Sequence, residues 1–280
     1  MRIFLTGATG FIGSHVAREL LSHGHQVVGL TRSDDGAAKL EAAGVEVYRG
    51  TIDDPETLRR GAAESDGVVH TAFDHSNLAD LPAAAVKDLA VFEVLGPEVT
   101  GKPFVTTFGT TMLTPGAVVT EEFRPADPQG RALVEAKTLA LGGVSVRPAT
   151  VVHARPNLGF VSLLTGIARE KGVSAYPGDG SGRWPAVHVT DLAVLYRLAV
   201  EKTPGATVLH GIQEEGVTSR EIAEGIGRVT GLPVESRESS HFGWLGGLFV
   251  LEVPASSAIT RELTGWAPTG PTLLEELQAD

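Results

Sequence analysis

Eight residues near the amino end, Thr6-Gly7-Ala8-Thr9-Gly10-Phe11-Ile12-Gly13, constrain this chain more than any other stretch. They follow an apolar run at 3–5 that reads as a buried strand. They open a segment with Ile12, Val16 and Leu20 on one helical stripe. A strand that turns at once into a helix through three spaced glycines is a phosphate-binding arrangement. Gly7 permits the tight turn, Gly10 lets the backbone approach a pyrophosphate, and Gly13 lets the helix pack closely on the sheet. The first helical turn then offers N–H donors and a partial positive charge to the anion. A dinucleotide site is predicted, with Thr6, Gly7, Thr9, Gly10, Phe11, Ile12 and Gly13 around the phosphates.

The remaining pattern suits such a loop. Apolar runs at 26–30, 45–48, 67–72, 103–107 and 144–147 alternate with helical patterns at 37–43, 55–63, 86–95 and 131–141. The runs are continuous rather than alternating, as in strands covered on both faces. An α/β fold is predicted, a Rossmann-like doubly wound parallel sheet. Beyond it come helices at 158–171, 191–201 and 219–230, a strand at 207–212, and a Gly/Pro-rich loop at 176–182. These define a smaller C-terminal substrate lobe. The expected division is 1–155 for nucleotide and 156–280 for substrate, the second interleaved with the first rather than folding alone.

Composition removes other classes. The chain has 280 residues and a net charge of −11, which disfavours nucleic acid and anionic membrane surfaces. It has no cysteine, so disulfides, thiolate catalysis and thiolate metal sites are excluded. Nine scattered histidines show no ligand spacing, and no metal is expected. A Gly-x-Ser-x-Gly nucleophile elbow is absent. The longest apolar candidate, 244–250, is interrupted by Gly246 and Gly247 and falls short of the ~18–20 residues of a spanning helix. With a strand beginning at once and no leader pattern, a cytoplasmic protein is expected.

Cofactor choice is read after the second strand, in Gly29-Leu30-Thr31-Arg32-Ser33. A carboxylate there would bind the adenosine ribose hydroxyls and repel a 2′-phosphate. Arg32 instead forks onto a phosphate and Ser33 donates to it, which predicts NADP (NADPH) over NAD, with Asp34 and Asp35 as the opposing signal. Thr51 and Ile52 after the third strand, and Thr71, Ala72 and Phe73 after the fourth, are placed to reach the adenine and ribose.

The loop at 6–13, Arg32, residues 68–73, Arg147-Pro148 and Val187-His188-Val189-Thr190-Asp191 resemble the extended short-chain dehydrogenase/reductase superfamily. Stretches 167–176, 183–188, 241–245 and 254–257 resemble its atypical NAD-dependent epimerase/dehydratase branch. The resemblance covers essentially the whole chain. It implies a nucleotide across the carboxyl edge of the sheet, near Pro148 at one end, and a lobe closing over a small-molecule pocket.

Ordinary members use Tyr-x-x-x-Lys with a Ser or Thr. Here Tyr48, Tyr176 and Tyr196 all lie outside the helix at 131–141, where the resemblance places that motif. One register there keeps a lysine (Leu133, Lys137), and the other loses both residues (Arg131, Glu135). Candidate replacements are Thr107, Thr110 and Thr111 after the fifth strand, Lys137 against the nicotinamide ribose, and His153 as a proton donor. Each has an ordinary alternative: backbone capping, a solvated lysine, a structural histidine. His188 and Asp191 read as joints between sheet and lobe. The stretch 242–249 reads as core, pocket wall or subunit contact. The expected function is an NADPH-dependent reductase of a small, fairly apolar carbonyl, enone or imine, with a homodimer left open. The alternatives are an NADP-binding module without turnover and a nucleotide-sugar epimerase or dehydratase.

Overall fold

The computed structural model describes residues 1–74, 81–110 and 117–278. The chain begins β1 (Arg2–Thr6), α1 (Phe11–Ser22), β2 (Gln26–Thr31), α2 (Asp34–Ala42), β3 (Glu46–Arg49), α3 (Pro55–Ala63), β4 (Gly67–His70) and α4 (Leu81–Leu95). It continues β5 (Phe104–Thr107), α5 (Arg131–Ala140), β6 (Val144–Pro148), β7 (Val151–His153), α6 (Phe160–Lys171), β8 (Ser174–Pro177), β9 (Arg183–His188) and α7 (Val189–Glu201). Last come β10 (Thr207–Gly211), β11 (Glu214–Thr218), α8 (Ser219–Thr230), β12 (Val234–Arg237), α9 (Gly246–Phe249), α10 (Ala258–Thr264) and α11 (Leu273–Glu276).

Seven strands form one parallel sheet in the order β10-β6-β5-β4-β1-β2-β3. Strand β1 shows why its sequence is apolar throughout. Ile3 and Leu5 enter a core with Val16, Leu20, Leu192 and Tyr196 of α1 and α7. Phe4 points the other way, among Leu58, Val91 and Phe92 of α3 and α4. Both faces are buried, so a period-2 pattern has no solvent side to record. From β1 the chain builds outward to β3, then returns to β4 on the opposite side of β1. The strand order reverses there, which opens a crevice at the carboxyl ends of β1 and β4.

Five strands depart from the sequence expectation. β7, β9 and β11 form a separate three-stranded sheet, and β8 pairs with β12. Residues 176–182 were expected as loop, yet Tyr176 and Pro177 complete β8. The short strand Val-Glu-Ser-Arg of β12 has no buried residue and becomes a strand only through its partner. Behind these strands a second core gathers Trp184, Phe242, Phe249 and Leu273. α7 packs on α1 and β10 closes the edge of the large sheet, so the later half of the chain re-enters the first. Among the described residues no helix is long and apolar enough to cross a membrane.

Candidate functional site

A cavity of about 860 Å³ lies in the crevice between β1 and β4. Its floor is the glycine loop. Gly7 turns with φ +74°, and a Cβ on it would stand 2.7 Å from the Ala72 amide nitrogen. A Cβ on Gly13 would stand 2.1 Å from the Gly7 carbonyl oxygen. The loop, helix and end of β4 therefore approach one another more closely than any side chain allows. Gly10 caps α1 in extended conformation with no side chain capping it and no acid in the first turn. The first helical bond runs from Ser14 N to Gly10 O, 2.9 Å, so the amides of Phe11, Ile12 and Gly13 precede the helical ladder. Uncapped donors, glycine clearance and the helix dipole fit a diphosphate.

On the β2–β3 side the cavity is lined by Arg32, Ser33, Thr51 and Ile52. The Ser33 hydroxyl accepts the Gly36 N–H at 3.0 Å and caps α2. Arg32 is exposed and makes no hydrogen bond or ion pair among the described residues. The neighbouring acids are occupied: Asp34 pairs with Arg49, and Asp35 with Lys39 at 2.7 Å. On the β4 side Thr71, Ala72 and Phe73 complete the wall, since β4 ends at His70 rather than Ala72. Lys87 bridges Asp53 at 2.8 Å and Asp74 at 3.1 Å on the same rim. The hydrogen bond to Lys87 holds the Asp53 carboxyl below its ordinary range.

The opposite wall comes from β7 and the start of α6: Thr150, Val152, Asn157, Gly159, Phe160, Ser162 and Leu163. Sequence reasoning missed these residues. The one available signal was the expected helix start at 158, because ligands gather at helix amino ends. Thr6 and Pro148 do not line the cavity. Thr6 is fully buried, its hydroxyl 2.6 Å from His70 Nδ1. Pro148 ends β6, and its carbonyl accepts the Thr110 hydroxyl at 3.0 Å.

None of the four expected catalytic side chains lines the cavity either. Thr107 donates to the His70 carbonyl at 2.9 Å, so the 2.6 Å bond with Tyr196 has the phenol as donor. Thr110 is spent on Pro148, and Thr111 lies outside the described residues. Lys137 turns toward α4 and pairs with Glu93 at 2.7 Å. His153 is fully buried, with neither ring nitrogen hydrogen-bonded among the described residues. Burial, with the nearby His188, lowers its pKa to about 4. It therefore stays neutral and away from the cleft near pH 7. The three tyrosines are committed elsewhere: Tyr48 accepts from Arg60, Tyr176 lies under Arg220, and Tyr196 is buried on Thr107.

The α5 register that faces the sheet is Arg131 with Glu135. Glu135 is buried against Arg147, accepting its Nε at 2.8 Å and Nη2 at 2.5 Å. Arg131 Nε donates to Asp88 at 3.1 Å and Nη2 to the Thr107 carbonyl at 2.5 Å. Its guanidinium stacks 4.1 Å over the Phe73 ring. Asp88 also pairs with His70 Nε2 at 3.0 Å. Burial alone would raise the Asp88 pKa, but its interactions with His70 and with the Arg131 guanidinium outweigh it and lower it. A buried chain Thr6–His70–Asp88–Arg131 thus connects the phosphate loop with Phe73. Only folding reveals it, because its members are far apart in sequence.

Comparison with known proteins gives consistent results. The profile described as NAD dependent epimerase/dehydratase family matches residues 3–88. An uncharacterized protein of Schizosaccharomyces pombe is 42% identical over 100% of this chain and 99% of its own length. A UDP-glucose 4-epimerase of Streptomyces lividans is 29% identical, covering 96% of this chain and 92% of its own. A 2-alkyl-3-oxoalkanoate reductase of Stenotrophomonas maltophilia is 27% identical over 74% of this chain and 67% of its own. Among solved structures, a dTDP-glucose 4,6-dehydratase of Streptomyces venezuelae with NAD superposes at TM-score 0.79 and 17% identity. It covers 99% of this chain and 95% of that one.

Proposed function

The chain belongs to the NAD dependent epimerase/dehydratase family of the extended short-chain dehydrogenase/reductase superfamily, and from that premise we propose that it is an NADPH-dependent reductase. Its substrate is a small, fairly apolar carbonyl, enone or imine. The observation that carries the reading is the cavity that runs from an unpaired Arg32, past the uncapped amino end of α1, to the Phe160–Leu163 wall. When bound, the nicotinamide would supply the reducing equivalent.

The protein's own residues do the rest. The amides at 11–13 hold the diphosphate, while Gly7 and Gly13 allow it to lie close to the sheet. Arg32 and Ser33 meet the 2′-phosphate, with the acids beside them already paired. Phe73, backed by Arg131, fixes the wall on the β4 side. Positioning of this kind contributes through proximity even where no side chain delivers a proton. An imine or a conjugated alkene suits such a site best, since it needs less protonation during reduction. A reductase relative that matches 74% of this chain and 67% of its own length supports the same reaction class.

One observation favours a second reading, a nucleotide-binding module without turnover. The hydroxyls of Thr107 and Thr110 and the Tyr196 phenol all donate inward. Calorimetry with NADPH and NADH, followed by nucleotide oxidation against a carbonyl, enone and imine panel, tests both. Tight NADPH binding with turnover supports the reductase. Binding without turnover across the panel supports the module. Absence of nucleotide binding defeats both.

A further inference from the structure

The α6 wall of the cavity continues into an aromatic cluster. Phe160 and Leu163 line the cavity, and Leu163 is 44% exposed. The Phe160 ring meets Trp244 edge-on at 6.3 Å, and Trp184 backs it at 5.9 Å. Trp184 is 1% exposed and its indole N–H donates to the Leu248 carbonyl, so it belongs to the core. Trp244, by contrast, is 53% exposed, and its N–H has no partner among the described residues. Its outward position is built into the backbone. Phe242 and Leu245 on either side are buried, and between them Gly243 adopts φ +58°, ψ −134°, a conformation open essentially to glycine alone. No atom lies within 4 Å of a Cβ placed there, so the backbone angle rather than crowding demands the glycine.

We propose that Phe160, Leu163 and Trp244 form a shelf that receives the hydrocarbon body of the substrate. The ligand class is then a ketone, enone or imine bearing an alkyl or aryl chain. This rests on the reductase reading above. The occupant follows from continuity, because two of the three shelf residues already line the cavity. The shelf also stands on α6 and the 239–245 turn, not on the elements after β2 that carry Arg32. A dinucleotide with its adenosine phosphate on Arg32 crosses the strand-order reversal and leaves its other end on the side of β4 to β6. An exposed aromatic with a polar tip is suited to a ligand that is apolar along its body and polar at its reacting end.

The chain has three tryptophans, and Trp184 and Trp266 are at most 2% exposed, so acrylamide quenching reports Trp244. The 280-residue protein is saturated with NADP⁺, which cannot reduce a ketone, and titrated with 2-butanone, 2-hexanone and 2-octanone. Calorimetry measures the nucleotide separately. Trp244 should become shielded, with the apparent Kd falling about fourfold per methylene, from about 0.8 kcal/mol per buried CH₂. Leu163→Ser, at an exposed position, should flatten that dependence.

Affinity independent of chain length overturns the proposal. So does a dependence that survives Leu163→Ser, or shielding of Trp244 that tracks protein concentration and a dimer in sedimentation velocity. If alkanones shield Trp244 while calorimetry finds no nucleotide, the hydrocarbon site stands and the cofactor reading falls. If NADP⁺ binds and alkanones leave Trp244 accessible, the shelf falls alone.

Discussion

Replacing His153 with leucine should stabilise this protein at neutral pH and remove part of its acid sensitivity. His153 is fully buried, 4.0 Å from Glu214 and edge-on to His188 at 5.6 Å, and neither ring nitrogen is hydrogen-bonded among the described residues. Its pKa falls from 6.5 to about 4, chiefly through burial and secondarily through His188. The sign follows from proton linkage. Above pH 6.5 the ring is neutral in folded and unfolded chains and its ionisation carries no penalty. Between 6.5 and about 4 the unfolded chain takes up a proton that the folded chain refuses, so stability falls as pH falls. Over that window the loss is about 3 kcal/mol, at roughly 1.4 kcal/mol per pH unit per proton.

His153→Leu puts an apolar side chain where two polar atoms lack partners, which should add about 1–3 kcal/mol at pH 7. Urea unfolding of both proteins at half-unit steps from pH 7 to 4 measures the effect. The slope of stability against pH should be shallower in the variant by up to one proton, and NADPH affinity should be unchanged. A variant destabilised at pH 7 with an undiminished slope would refute the reasoning and return His153 to consideration as a functional group.

Other substitutions probe the remaining claims. Arg32→Ala should weaken NADPH more than NADH by about 1.5–3 kcal/mol, the scale of a charge-assisted hydrogen bond. Equal losses in calorimetry would show that Arg32 does not read the 2′-phosphate. Gly13→Ala drives a Cβ to 2.1 Å from the Gly7 carbonyl oxygen, so the loop must shift. Nucleotide binding should be lost, and stability should fall by about 1–3 kcal/mol; wild-type affinity would contradict the close-packed loop. Glu135→Gln leaves the fully buried Arg147 without its counter-charge and should cost about 3–5 kcal/mol in denaturant unfolding. Ser33→Ala removes the α2 cap and should lower the unfolding midpoint by the equivalent of about 0.5–2 kcal/mol.

The sequence by itself determined what is local or periodic. The glycine loop, Arg32, Ser33, Thr51, Ile52 and the segment 71–73 each sit at a strand end. Strand ends are legible because a continuous apolar run stops there, and in a parallel sheet those ends share one edge. That is why residues scattered from 7 to 73 line one cavity. The tertiary structure alone decided what depends on distant partners. Two registers were open on α5, and burial chose between them by placing Glu135 on Arg147 and Arg131 on Asp88. The strand β12 exists only because β8 lies beside it, 60 residues earlier in the pairing of Val234 with Ser174. Thr107 and His153 looked available as chemistry-bearing side chains. Folding consumed one in a hydrogen bond to Tyr196 and sealed the other from water. A side chain's identity is written in the chain, but its solvent, its partners and hence its reactivity are set by the packing around it.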